Sequence, residues 1–183
     1  SQVRANTTAG FSIVTYTGTG SSTTVGHGLG VKPAVIIIKC RSNTDNWMVY
    51  HHQVNNGNSP EDEYLELNAT GGDINATTML NDTAPTSSVV TIGSDNSVNG
   101  SGRTYVMYCW SEVEGFSRFG KYKGNGNSNG TFINTGFRPA FVMVKQANNS
   151  SGEPWVIMDN QRPAYNPAKK GLYANGQASE NDA

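Results

Sequence analysis

Charge is scarce in this chain. Of 183 residues, 13 are Lys or Arg and 14 are Asp or Glu, for a formal charge of −1. A nucleic-acid binder needs a basic face to displace counterions from phosphate, so this balance argues against DNA or RNA as a partner. Long apolar runs are missing as well. No stretch approaches the ~20 residues that a membrane-spanning helix needs, which argues against membrane insertion. The chain starts Ser1-Gln-Val-Arg, without an initiator methionine or a signal-peptide pattern, and reads as a piece of something longer. Cysteine is limited to Cys40 and Cys109, both in apolar, strand-like runs. Two buried free thiols is the simpler reading, because a disulfide needs the two strands to be neighbours. Helical periodicity is absent too: nowhere do apolar residues recur at i, i+3, i+4 and i+7 over a helix's length. Only the stretch 166–171, Asn-Pro-Ala-Lys-Lys-Gly, suggests a helical turn.

Uncharged polar residues fill the space. Asn, Ser, Thr and Gly cluster in segments such as NNGNSP, NGNSNG and NNSSG. Their side chains compete for local backbone hydrogen bonds, which favours turns and weakens helix interiors. Between the turns lie short strand-like runs: 11–16, 23–29, 34–39, 46–51, 63–67, 77–80, 88–93 and 103–113. This spacing predicts an all-β fold, an antiparallel β-sandwich of jelly-roll or lectin-like type.

The chain also repeats itself. Gly30-Val-Lys-Pro33-Ala34 with its apolar run and closing Lys39 returns as Gly136-Phe-Arg-Pro139-Ala140 and Lys145. Gly10-Phe11-Ser12 returns as Gly115-Phe116-Ser117, Tyr16 as Tyr122, and Trp47 as Trp155. The offset runs only from 105 (Gly10 to Gly115) to 108 (Trp47 to Trp155), the pattern of an internal duplication. The expected organisation is a linker over 1–9, a first β repeat over 10–114, and a second, C-terminally incomplete repeat over 115–183. Gly then Pro ends a loop and sets a strand entry. The apolar run that follows does not alternate, so it predicts a central strand covered on both faces in each copy.

Motifs for chemistry are thin. Gly26-His27-Gly28-Leu29-Gly30 lacks the following helix that a phosphate loop requires. Asp95, Ser97 and Asn99 ahead of Gly100 have the spacing of half a calcium loop, but Val106 stands where the bidentate Glu belongs. Calcium is therefore a weak expectation, and no other cofactor or metal is predicted. His51 and His52 are adjacent on a strand, point to opposite faces and chelate poorly. No nucleophile elbow is present, so no catalytic residue is assigned. In the run 105–110 one face carries Val106, Tyr108 and Trp110 and the other Tyr105, Met107 and Cys109; both read as core.

Four segments together carry a resemblance: GFSIVTYTGTG, VGHGLGVKPAVIIIK, NDTAPTSSVVTIGS and VNGSGRTYVMYCWSEVEGFSRFG. They resemble a repeat domain of tail-fibre and structural proteins of marine bacteriophages, over nearly the whole chain. The resemblance implies a concanavalin/laminin-G type sandwich and a virion or extracellular location. It also implies other virion proteins as partners and a homo-oligomeric parent. It brings no catalytic residues. The expected function is a non-enzymatic virion component that contacts host-surface polysaccharide; the alternative is a polysaccharide-degrading enzyme of the same fold. Ligand contacts are expected on loops 52–62 and 94–103, at one end of the sandwich, through Asn56, Asp62, Tyr64, Asp95, Asn99 and Tyr105. As loop residues, Asn56 and Asn99 should tolerate alanine within about 0.5 kcal/mol.

Overall fold

In chain order the strands are β1 (Gln2–Asn6), β2 (Phe11–Thr17), β3 (Thr23–Gly26), β4 (Val35–Cys40), β5 (Met48–His51), β6 (Glu63–Glu66) and β7 (Ile74–Asn75). They continue with β8 (Val89–Ile92), β9 (Thr104–Trp110), β10 (Phe141–Val144), β11 (Val156–Asp159), β12 (Lys170–Tyr173) and β13 (Asn181–Asp182). Two helical turns, α1 (Thr77–Leu80) and α2 (Asn96–Asn99), flank β8, and two 3-10 turns lie between β5 and β6. This is a computed structural model, and it describes residues 1–148, 152–162 and 170–182. The protein is mostly β, with antiparallel sheets.

Seven strands form the main sheet in the order β1-β2-β9-β4-β5-β6-β7. Gln2–Asn6, within the stretch expected as a linker, is its edge strand, paired with β2 along its whole length. β4 lies between β9 and β5, as the run at Gly30–Lys39 predicts. Alternate residues face opposite sides of a strand, and here both sides are buried. Ile36, Ile38 and Cys40 enter one core with Val14, Met48, Tyr50, Tyr105, Met107 and Cys109. Val35 and Ile37 enter a second core with Val49, Leu65 and Trp155. That is why the sequence does not alternate in polarity there. Each fully buried side chain of this size stabilises the fold by about 1.5–3 kcal/mol.

The first core is closed by the two-stranded ribbon β3–β8 and by α1 and α2, not by a second full sheet. Thr77–Leu80, read from sequence as a strand, is a helical turn. Met79 and Leu80 are neighbours and are both buried in this core, which a strand would forbid by sending them to opposite faces. Cys40 and Cys109 are free and buried. Their strands are neighbours, but Cys109 pairs with Ile36 and Cys40 with Tyr105. Four residues of offset along a strand is about 13 Å, out of disulfide reach.

The remaining strands pair in the order β10-β11-β12-β13, with the register of β4-β5-β6-β7. Ile36 faces Tyr50 as Val142 faces Met158, and Ile37 faces Val49 as Met143 faces Ile157. Val49 faces Leu65 as Ile157 faces Leu172, and Glu63 faces Asn75 as Lys170 faces Asp182. Bonds beyond the strands agree. His52 N–H donates to Ala34 O at 2.9 Å, and Asn160 N–H to Ala140 O at 3.1 Å. The Trp47 and Trp155 amides each donate to an Asn Oδ1 at 2.8 Å, of Asn68 and Asn175. The tryptophans differ in burial, however: Trp155 is buried but Trp47 is only half-buried, against the expectation that both lie in the core. β10 is also not central but an edge strand. Of the helical turn expected at 166–171, residues 166–169 lie outside the described residues, while Lys170 and Gly171 open β12.

Candidate functional site

The six residues expected to bind ligand do not form one site. Asp62, Tyr64 and Asp95 gather around α1, where Asp62 O accepts Ala76 N–H and Asp95 N–H donates to Thr78 O, while Asn56, Asn99 and Tyr105 lie apart from them in different settings. Loop 52–62 follows β5, whose last residue His51 pairs with Val35, which pairs in turn with Trp110 at the end of β9. Loop 94–103 leads into the start of β9, where Tyr105 pairs with Cys40. Trp110 and Tyr105 are five residues apart on one strand, about 17 Å. The loops therefore leave the sheet at opposite ends, because antiparallel order sends successive connections to alternating ends.

Asn99 and Tyr105 are fully buried. Asn99 Nδ2 donates to Ser21 O and Gly93 O, both at 2.7 Å, and its Oδ1 accepts Thr19 N–H at 2.8 Å. The Tyr105 hydroxyl donates to Asn96 O at 2.6 Å and accepts Gly100 N–H at 2.7 Å. Burial pushes that phenol up to about 12, and its ring stacks on Tyr16 at 5.1 Å. Asp95 caps α2 by accepting Ser97 N–H at 2.7 Å. These three hold loop 94–103 closed. The half-buried Tyr64 lies within electrostatic reach of Asp95, and its phenol is raised first by burial, then by Glu66 and Asp95. Asp62 meets Asp82 instead; the Asp82 carboxyl is raised by desolvation and by the charge and hydrogen bond of Asp62. Asn56 alone is exposed, with φ 59°, and its carbonyl accepts Lys121 Nζ at 2.6 Å. Among the described residues, no group of three His, Cys, Asp or Glu is placed to hold a metal ion.

At the end of the sheet where β5 and β9 finish, the segment after β9 builds a polar hollow of about 450 Å³, lined by Glu112, Ser117, Arg118 and Thr135 among others. Glu112 accepts Phe119 N–H at 3.0 Å and lies 3.6 Å from Arg118. His52 Nε2 contacts Phe119 O at 2.9 Å, and Gln53 N–H donates to His51 Nδ1 at 3.1 Å. The two imidazoles lie 5.3 Å apart, centroid to centroid. Burial first, and the His52 charge second, pull His51 down to about 4 against the opposing pull of Glu112.

None of the residues of this hollow stood out in the sequence as a ligand contact, and they straddle the boundary expected at 114 between the two repeats. A surface of another kind lies further along: Tyr122 is 50% and Phe132 90% exposed, among Asn125, Asn127, Asn129 and Asn134. Two aromatics isolated in a Gly/Asn-rich stretch were the available signal. β10 then presents Phe141, 60% exposed, and Val142, 37% exposed.

Against known proteins, one family matches, described as a domain of unknown function (DUF7483), over residues 1–183. No curated protein and no solved structure matches the chain.

Proposed function

The chain belongs to the DUF7483 family, and we propose that it is a non-enzymatic structural module of a bacteriophage virion appendage, such as a tail fibre, that touches host-surface polysaccharide. In this reading the seven-stranded sheet and the β3–β8 ribbon are the two layers of a lectin-like unit. The sheet β10–β13 is part of a second unit of the same repeat. The observation that carries the reading is the shared pairing register of β4–β7 and β10–β13. Stacked units of one design extend in one direction and are suited to fibres and to association with other virion proteins.

The glycan contact is favoured by the exposed Tyr122 and Phe132. Aromatic faces stack on the C–H faces of sugar rings, and the neighbouring Asn side chains and turn backbone offer donors and acceptors to hydroxyls. The rival, a polysaccharide-degrading enzyme, requires two carboxyl groups facing each other across the scissile bond, about 5–10 Å apart. Of the carboxylates lining the hollow, Glu112 is held by the Phe119 amide and Arg118. Purified protein incubated with a panel of bacterial surface polysaccharides separates the readings. Retention on at least one polymer without release of reducing ends is expected, with retention lost in Tyr122→Ala/Phe132→Ala. Turnover abolished by Glu112→Gln would establish the enzyme, and absence of both retention and turnover would remove the glycan contact.

A further inference from the structure

Among the described residues the outer edge of β10 is unpaired, and it is built like the edge of β4 that β9 covers in the main sheet. Val35, Ile36, Ile37 and Ile38 pair with Trp110, Cys109, Tyr108 and Met107. On their other side they pair with β5 as Phe141, Val142, Met143 and Val144 pair with β11. Corresponding positions therefore have the same strand on one side and differ on the other. The exposures follow that difference. Val35 is 9% and Ile36 1% exposed, whereas Phe141 is 60% and Val142 37% exposed. The backbone next to the strand matches as well. Ala34 O accepts His52 N–H while Ala34 N–H donates to Trp110 O at 2.7 Å; Ala140 O likewise accepts Asn160 N–H. An edge strand with unpaired backbone groups and large apolar side chains is a template for another strand.

We infer that the β10 edge is a docking site for an extended, antiparallel strand of the β9 kind, one that alternates aromatic with smaller apolar residues as Met107–Trp110 does. The occupant adds by β-augmentation, in which main-chain hydrogen bonds supply affinity and alternate side chains supply specificity. Its register follows from the main sheet. The residue in the place of Trp110 lies opposite Phe141, and those in the places of Cys109 and Met107 lie opposite Val142 and Val144. Alternation then places an aromatic beside Phe141 and Met143 on one face. On the other face, a small thiol-sized residue and an unbranched apolar one lie beside Val142 and Val144. A folded second copy of this chain does not supply such a strand, because its own β9 is already paired on both edges, with β2 and β4.

The inference rests on the repeat reading above but not on the glycan contact, so the two fail separately: polysaccharide retention is measured without the strand. The probe is a synthetic peptide of the 103–111 sequence, with Ser in place of its Cys and lysines at both ends for solubility, added to the full chain. Amide hydrogen exchange is expected to slow at least tenfold over 140–145. A scrambled peptide should leave those amides unchanged, and Phe141→Lys/Val142→Lys should abolish the effect without changing the thermal midpoint of the free protein. No slowing at peptide saturation, or equal slowing by the scrambled peptide, overturns the proposal. So does protection of 140–145 that rises with protein concentration alone alongside dimer formation in sedimentation, which would make a second copy the occupant.

Discussion

Asn99→Ala tests whether loop 94–103 is built to hold the fold or to hold a ligand. The Asn99 side chain is wholly buried and makes three hydrogen bonds to backbone, to Ser21 O, Gly93 O and Thr19 N–H, all at 2.7–2.8 Å. A neutral hydrogen bond contributes about 1 kcal/mol net, and a buried partner left unpaired adds about 1–3 kcal/mol. Gly93 is buried, so its carbonyl has no access to water as a substitute. The expected loss is about 3–5 kcal/mol, a large share of the roughly 5–15 kcal/mol that holds a domain together. Urea unfolding followed by tryptophan fluorescence reads it as a shift in midpoint. Asn99→Asp adds a signature that simple truncation lacks. It keeps an acceptor for Thr19 but turns a carboxylate oxygen toward two carbonyls. The ionised form is disfavoured, and the folded pKa rises above the ordinary value of about 3.9. The protonated form can still donate once, so what stability remains is fully present below that value and is lost as pH rises through the folded pKa. A loss under about 1 kcal/mol for Asn99→Ala, within range of an exposed side chain, would refute the clamp and return the residue to the ligand candidates.

Trp155→Ala should cost about 3–5 kcal/mol, as for emptying a large aromatic site; it also removes the indole N–H bond to Glu66 O at 2.9 Å. Trp47→Ala should cost less than half as much, since that ring is half-buried; equal losses in chemical denaturation would contradict the difference. His51 makes stability depend on pH. With the folded pKa lowered to about 4 and an unfolded value near 6.5, the unfolded chain binds more protons between the two. Stability is thus fully present above about 6.5 and falls as pH drops toward 4, by at most about 3 kcal/mol. His51→Gln should flatten that slope in unfolding curves taken between pH 7 and 4.5, and an unchanged slope would place the titration elsewhere.

The β character, most strand positions and the two-faced nature of β4 were legible because they depend on local patterns. Gly-x-x-Pro-Ala before an unbroken apolar run marks a strand entry at both Gly30 and Gly136, but only β4 is covered on both faces, whereas Phe141 of β10 is exposed. The spacing of Trp47 and Trp155 was legible for the same reason, and their amides bond alike. Burial was not legible, since it depends on which face meets which neighbour. Trp155 lies in a core with Val35, Val49 and Leu65, whereas Trp47 is only half-buried. The expectation that the two loops share one end of the sheet failed for a topological reason. Loops 52–62 and 94–103 share composition, but one follows β5 and the other precedes β9, and only the strand order shows that these are opposite ends. Asn99 carried the composition of a surface loop, while its role came from contacts with Thr19 and Ser21 about eighty positions earlier in the chain.

The same two-faced sheet determines whether residues 1–114 can stand alone. Val35, Val49 and Leu65 are 9%, 3% and 4% exposed, and they share their core with Trp155, with Met143 and Ala147 packed against it. Asp73 N–H donating to Ala147 O at 2.7 Å and Lys145 Nζ donating to Thr70 O at 2.9 Å tie the two segments together further. Cutting the chain after Glu114 would therefore uncover an apolar face that residues 1–114 do not cover themselves. Partial exposure of three or four aliphatic side chains, each worth about 1.5–3 kcal/mol when fully buried, predicts a loss of about 3–6 kcal/mol and self-association. Val35→Thr with Val49→Thr distinguishes an uncovered face from general damage. In the full chain each hydroxyl is buried in the core between the sheets, so the pair should destabilise by about 2–4 kcal/mol. In the truncated chain the same hydroxyls would meet water, so the cost should nearly vanish and association should fall. Equal costs in both lengths, read from urea midpoints and sedimentation, would mean that residues 1–114 close this face by themselves and that 114 is a true domain boundary.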